Sequence, residues 1–158
     1  YEKWALAVAG VGAVKVTPLW NGNGTVKVLI VDSNKTIDTS LESKVAAYIE
    51  TVRPIGATVT VASPAGLSVG VTANVKLDGS KTLADIQAAF TTAVTEYLKS
   101  IVFRMYSVSY AKIGSLLLST PGVADYNTLL VNSGTVNIAV PDEDIPIAGT
   151  ITLSEAGA

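Results

Sequence analysis

The sequence predicts an α+β fold made of two small α/β sandwich-like subdomains with mainly antiparallel sheets. Three observations predict it. From Leu67 to Leu77 the odd positions Leu67, Val69, Val71, Ala73, Val75 and Leu77 are apolar, while Ser68, Gly70, Thr72, Asn74 and Lys76 alternate with them. Apolar residues recur at helical spacing after residues 40 and 82. Asn-Gly and Ser-Gly pairs between β-branched runs mark tight turns. At 158 residues the chain can hold one full domain or two small ones, each with a modest core.

The elements follow in order. Tyr1-Glu2-Lys3-Trp4-Ala5-Leu6-Ala7-Val8-Ala9 reads as a helix already under way at the first residue, without an initiator Met, as expected of a piece of a longer protein. Gly10-Val11-Gly12 breaks it, and Ala13 to Trp20 reads as a strand ending near Pro18. Asn21-Gly22-Asn23-Gly24 turns the chain into a second strand, Thr25 to Val31, because Asn and Gly adopt positive φ at little cost. Thr39-Ser40-Leu41-Glu42 fits a capping box, opening a helix whose inner face is Leu41, Val45, Tyr48, Ile49 and Val52. Pro54 and Gly56 end it, and Ala57 to Ala62 alternates as a third strand.

Ser63-Pro64-Ala65-Gly66 is the expected boundary, giving subdomains over 1–63 and 67–158. After the Leu67–Leu77 strand, Asp78-Gly79-Ser80 turns and Thr82-Leu83-Ala84-Asp85 caps a helix. Its inner face is Leu83, Ile86, Phe90, Val94, Tyr97, Leu98 and Ile101. A further helix is expected over Tyr110–Leu118 with Ile113, Leu116 and Leu117 inward, then strands over 126–131, 135–140 and 150–153. An internal repeat is suggested. Gly10-Val11 and Asn23-Gly24-Thr25-Val26-Lys27-Val28 are echoed by Gly122-Val123 and Ser133-Gly134-Thr135-Val136-Asn137-Ile138. Pro54 to Val61 is echoed by Pro146 to Leu153, with the acidic loop Asp142-Glu143-Asp144 in place of the first copy's helix.

Composition narrows function. Charged residues are 15% of the chain, well under the roughly 25% of ordinary soluble domains. The surface is therefore built from Ser, Thr, Asn, Gly and Ala, which fits either partial cover by partner subunits or an uncharged but monomeric domain. The net charge of −2, with no basic cluster, argues against nucleic-acid binding. Cys and His are both absent, which removes disulfides, the usual zinc ligands and the common nucleophile–base pairs. No apolar run approaches the roughly 20 residues of a membrane-spanning helix.

Local motifs point to turns and caps before chemistry. Gly10-Val11-Gly12 has Lys15 where a dinucleotide fingerprint needs its third glycine, and a helix precedes it where a strand is required. Gly79-Ser80-Lys81-Thr82 lacks the glycines of a phosphate loop. Asp142, Glu143 and Asp144 could hold a hard cation, but consecutive loop acids are usually just solvated. Asn23-Gly24-Thr25 and Asn34-Lys35-Thr36 match the glycosylation pattern, which Asn/Thr-rich chains meet by chance. Trp4 and Trp20 suit core packing better than an interface, and Arg53 and Arg104 suit an interfacial carboxylate or an ordinary surface place equally. No catalytic, cofactor-binding or metal residue is expected.

A family resemblance adds to this. Tyr1-Glu2-Lys3-Trp4-Ala5, Val11-Gly12-Ala13-Val14-Lys15-Val16 with Pro18-Leu19-Trp20, Gly24-Thr25-Val26 and Arg53-Pro54-Ile55-Gly56-Ala57 resemble the baseplate J-like family of contractile phage tails. Gly122-Val123-Ala124-Asp125-Tyr126 and Asn132-Ser133-Gly134 extend the resemblance over nearly the whole chain, which is similar to the family's C-terminal part. The resemblance implies a structural baseplate component, not an enzyme, that joins wedges around the central hub in a phage, prophage or injection particle. Its implied partners are other baseplate and tail proteins and further copies in the ring, with no nucleic acid and no membrane span. Its implied place is the virion tail, assembled in the bacterial cytoplasm, with no cofactor. Two other classes were weighed: a carbohydrate-binding surface module, which needs a groove of exposed aromatics, and a carboxylate-dependent hydrolase, which needs two acids facing across a pocket.

Overall fold

The computed structural model describes residues 1–157. They form four helices and eight strands, in two compact units. Unit 1 is Tyr1–Gly66 with Glu143–Ile145, and unit 2 is Leu67–Asp142 with Pro146 onward.

Unit 1 runs α1 (Glu2–Leu6), β1 (Val11–Pro18), β2 (Thr25–Asp32), α2 (Ser40–Val52) and β3 (Thr58–Ala62). The sheet order is β1-β2-β3, with β1 and β2 antiparallel and β2 and β3 parallel. A parallel pair needs a crossover, and α2 supplies it. Val28 and Ile30 of β2 pack with Leu41, Val45 and Ile49 of α2 and with Ala5 of α1. Leu29 and Val31 point to the opposite face of β2 and are buried as well, so the central strand is covered on both sides.

Three expectations for this unit need correction. The first helix stops at Leu6, not at Ala9, and the chain turns through Gly10 at φ +99, where a Cβ would meet Leu41 Cδ2 at 3.2 Å. The capping box does not form: Thr39 already has helical φ and ψ, so its hydroxyl makes no cap. Asp38 takes that role, its carboxylate accepting from the Ser40 N–H at 2.9 Å, while Glu42 accepts from the Ser63 N–H at the end of β3. Tyr48 lies at the edge of the helical face and remains exposed.

Unit 2 is built around the strand that alternation picks out, β4 (Ala65–Leu77). Then come α3 (Leu83–Ile101), β5 (Ser107–Val108), α4 (Tyr110–Leu118), β6 (Val123–Val131), β7 (Ile138–Ala139) and β8 (Asp144–Glu155). Thr82 caps α3, its hydroxyl accepting from the Asp85 N–H at 3.2 Å. The main sheet has the order β6-β4-β8. β4 and β6 are antiparallel, from Val71↔Val131 to Leu77↔Val123. β4 and β8 run the same way, since Gly149 lies beside Val69 and the Ala156 N–H donates to Val75 O. Val69, Val71, Ala73 and Val75 meet Ile86, Phe90, Val94 and Leu98 of α3, with Ile113 and Leu117 of α4 closing the core.

The later strands differ from expectation. The hairpin at Asn132-Ser133 closes with a single antiparallel bridge, Val131↔Gly134, and goes no further: β6 pairs with β4, and β7, only two residues long, pairs with β5. The repeat suggested by sequence is thus not repeated in strand pairing. Asn132 and Ser133 both adopt positive φ, as a two-residue hairpin turn requires, and Val131 and Gly134 exchange N–H to C=O bonds at 2.8 and 3.0 Å, while the Asn132 amide bonds β4. The acidic run is not wholly a loop either, because Asp144 opens the 12-residue β8.

Candidate assembly interface

In unit 1 the β1–β2 turn and the α2–β3 loop meet at one end. Thr58 N–H donates to Gly24 O at 2.7 Å, and a Cβ at Gly24 would lie 3.3 Å from Gly56 O. That end carries Leu19, 62% exposed, Trp20, 40% exposed, and Ile55, 105% exposed. An apolar side chain left fully in water, beside two others, marks a contact surface more than chance exposure does. Leu19 holds φ 56, an unusual conformation for a branched-chain residue, and its N–H donates to Thr25 O at 2.7 Å to close the turn.

Trp20 therefore is a surface residue, in contrast to the core place expected of it. Lys27 Nζ sits 4.5 Å from its ring centroid and also bonds both carboxylate oxygens of Glu143, at 2.8 and 2.7 Å. The ring thus presents one face to a cation fixed by an acid. Trp4 meets the Tyr1 ring edge-on at 5.1 Å on the rim of the unit 1 core. Arg53 is engaged within its own unit: Nε and an amino nitrogen each reach a Glu50 oxygen at 2.6 Å. That fork holds the Glu50 carboxyl below its ordinary range and raises Arg53. Arg104 is exposed just after α3.

The unit 1 sheet ends on β1 and β3. β1 is blunted by Pro18, by Lys15 and by an irregular register between Val11 and Ala13. β3, Thr58-Val59-Thr60-Val61-Ala62, has no charge and no proline. Because the Thr58 N–H faces β2, the backbone groups of Val59 and Val61 face outward.

The remaining motifs are structural. Gly12 lies at the start of β1, where a Cβ would run into the Asp32 carbonyl oxygen. Asp78 accepts from the Ser80 N–H at 2.8 Å and the Ser80 hydroxyl at 2.6 Å, which keeps its carboxyl below the usual range and closes the turn before α3. In unit 2 a cleft of about 410 Å³ is lined by Lys76, Asp125, Tyr126 and Glu155. Its two acids are exposed, and Lys76 on the central strand stands opposite Asp125. Among the described residues no group of three or more acidic side chains is placed to hold a metal ion, and no helix is long and apolar enough to cross a membrane.

Comparison with known proteins decides the family. Residues 1–63 match the baseplate J-like central domain, and residues 69–154 match the baseplate J-like protein C-terminal domain. The chain belongs to the baseplate J-like family. The phage-like element PBSX protein XkdT of Bacillus subtilis (strain 168) is 31% identical over 163 residues, covering 98% of this chain and 47% of the relative. The uncharacterized protein YqbT of the same strain is 32% identical, with the same coverage of 98% and 47%. The chain thus spans about half the length of these relatives. A cryo-EM structure of the anti-feeding prophage (AFP) baseplate, 6-fold symmetrised, superposes with a TM-score of 0.65 at 12% identity, over 92% of this chain and 35% of that one. That likeness is one of fold.

Proposed function

We propose that this chain is a structural, non-catalytic module of a contractile-tail baseplate that joins neighbouring wedges around the central hub. The observation that carries the reading is family membership over both units. Its partners are other baseplate and tail proteins and further copies of itself in the ring, and nucleic acid is not among them. It acts in the tail of a phage, prophage or related injection particle and is assembled in the bacterial cytoplasm. The segments 1–63 and 67–158 each act as a domain.

The apolar end of unit 1 supports this reading, with Leu19, Trp20 and Ile55 offered to a partner and β3 open along its edge. The low charge of the surface supports it too. Co-purification of the full-length parent protein with its neighbouring tail proteins, followed by negative-stain imaging, tests it. Recovery in a wedge or tail-like particle is expected, and Ile55→Asp combined with Trp20→Ser should reduce that recovery while the protein still folds. A monodisperse monomer that binds no tail protein but retains a glycan would overturn the proposal in favour of a carbohydrate-binding module.

A further inference from the structure

Two side-chain amides in unit 2 stand where a neighbouring strand would bond. Asn132 Nδ2 donates to Ser68 O at 3.1 Å and its Oδ1 accepts from the Gly70 N–H at 2.7 Å, continuing along β4 the ladder that β6 begins. Gln87 of α3 does the same to β8: its Nε2 donates to Ile151 O, and its Oε1 accepts from the Leu153 N–H at 2.8 Å. Along an extended strand, backbone groups of alternate residues face opposite sides. The Ala156 N–H donates to Val75 O, so the even residues of β8 face β4, and Ile151 and Leu153 face the outer edge. The Gln87 carboxamide therefore occupies the C=O(i) and N–H(i+2) pair that an added strand would use.

We propose that the outer edge of β8 is a self-pairing edge, and that Gln87 is the guard that keeps it closed to a second copy of this chain. The edge is self-complementary. An antiparallel pairing about a two-fold axis through Thr152 sets Ile151 O of one copy against Leu153 N–H of the other, in both directions. Those are the two groups Gln87 holds. In that register Thr152 meets Thr152 on the exposed face, a favourable cross-strand pair. From Ile147 to Ser154 the strand has no charge and no proline, so none of the usual blunting devices protects it. The inference goes beyond the baseplate reading and does not rest on it.

Sedimentation velocity over a range of concentrations, with the wild-type chain beside Gln87→Met, tests the guard. Methionine keeps the length of the side chain and removes the amide. The variant should shift from monomer to dimer as concentration rises, and adding Thr152→Lys, which sets like charges across the two-fold, should return it to monomer. At low concentration the Leu153 amide should exchange roughly five- to tenfold faster than in wild type, the loss of one hydrogen bond. If Gln87→Met fails to fold, Gln87→Leu, which likewise lacks the amide and adds no charge, replaces it and should associate in the same way. A variant that stays monomeric, a dimer that Thr152→Lys leaves intact, or a wild-type chain already dimerised through β8 would overturn the proposal.

Discussion

Unit 2 caps backbone groups of β4 and β8 with its own Asn132 and Gln87 side chains, whereas unit 1 ends its sheet on β1 and β3 and presents Leu19, Trp20 and Ile55 to solvent. Their cores differ in the same sense. Among the described residues, 17 buried residues form the unit 2 cluster around α3, against six in the unit 1 cluster around α2. A larger core tolerates the cost of holding two amides in fixed places. A smaller core with an uncharged edge strand and an apolar end is better suited to completing itself against a neighbour. The larger core thus lies in unit 2, and the proposed association end in unit 1.

The largest test of that contrast is Phe90→Ala. Phe90 is fully buried in the unit 2 cluster, and its truncation should cost about 3–5 kcal/mol. Denaturant unfolding measures the loss. Hydrogen exchange read residue by residue then sharpens the comparison: if the units are separate domains, unit 1 amides such as those of Val28 and Ile30 keep their protection while those of unit 2 lose it. Uniform loss in both would break the division of roles. A smaller effect is expected from Asn132→Ala. It removes two hydrogen bonds to β4 and leaves alanine at φ 47, together about 2 kcal/mol. The expected site of the loss is the Ser68–Gly70 end of β4, visible as faster exchange of the Gly70 amide.

Sequence periodicity reached the elements whose burial is one-sided. The alternation from Leu67 to Leu77 is β4, and Ile86, Phe90, Val94, Leu98 and Ile101 are all buried on α3. It did not reach Gln87 or Asn132. Their contacts join residues some 64 positions apart, |i−j| being 64 for Gln87–Ile151 and for Asn132–Ser68, and no local period records such a bond. The short reach of the hairpin after β6 has the same origin: the turn chemistry of Asn132-Ser133-Gly134 is local, but the strand the chain then joins is not. Trp20 escaped because a tryptophan beside a turn looks alike in sequence whether its ring faces a core or a lysine. The candidate assembly surface was legible only as a low charge content, and Leu19 and Ile55 were found by their exposure in the fold.

The helix starts give a finer test of the same point. Thr82→Ala in unit 2 and Asp38→Ala in unit 1 should each cost about 1 kcal/mol, because each removes a side-chain acceptor from a helix N-terminus. Thr39→Ala should change stability by less than about 0.5 kcal/mol, since its hydroxyl caps nothing. Equal losses for Thr39→Ala and Asp38→Ala would restore the capping box that the sequence suggests.

The smallest expected effect is a pH dependence that tells the two units apart. Asp78 in unit 2 is held low by the Ser80 hydroxyl and N–H, and Glu50 in unit 1 is held low by the Arg53 fork. A carboxyl whose folded pKa lies below its unfolded value binds its proton more readily in the unfolded chain. Its stabilising contribution is therefore complete above the unfolded pKa and disappears as the pH falls through the folded one. Both groups are solvent-exposed, so each slope is shallow, but salt separates them. Ionic strength screens the Glu50–Arg53 charge pair, whereas the hydrogen bonds to Asp78 come from neutral donors and are little affected. NMR titration of the two carboxyls at low and high salt should move the Glu50 midpoint toward its ordinary value and leave that of Asp78 nearly in place. If Asp78 moved as far as Glu50, its low pKa would have to come from distant charge and not from the turn that starts α3.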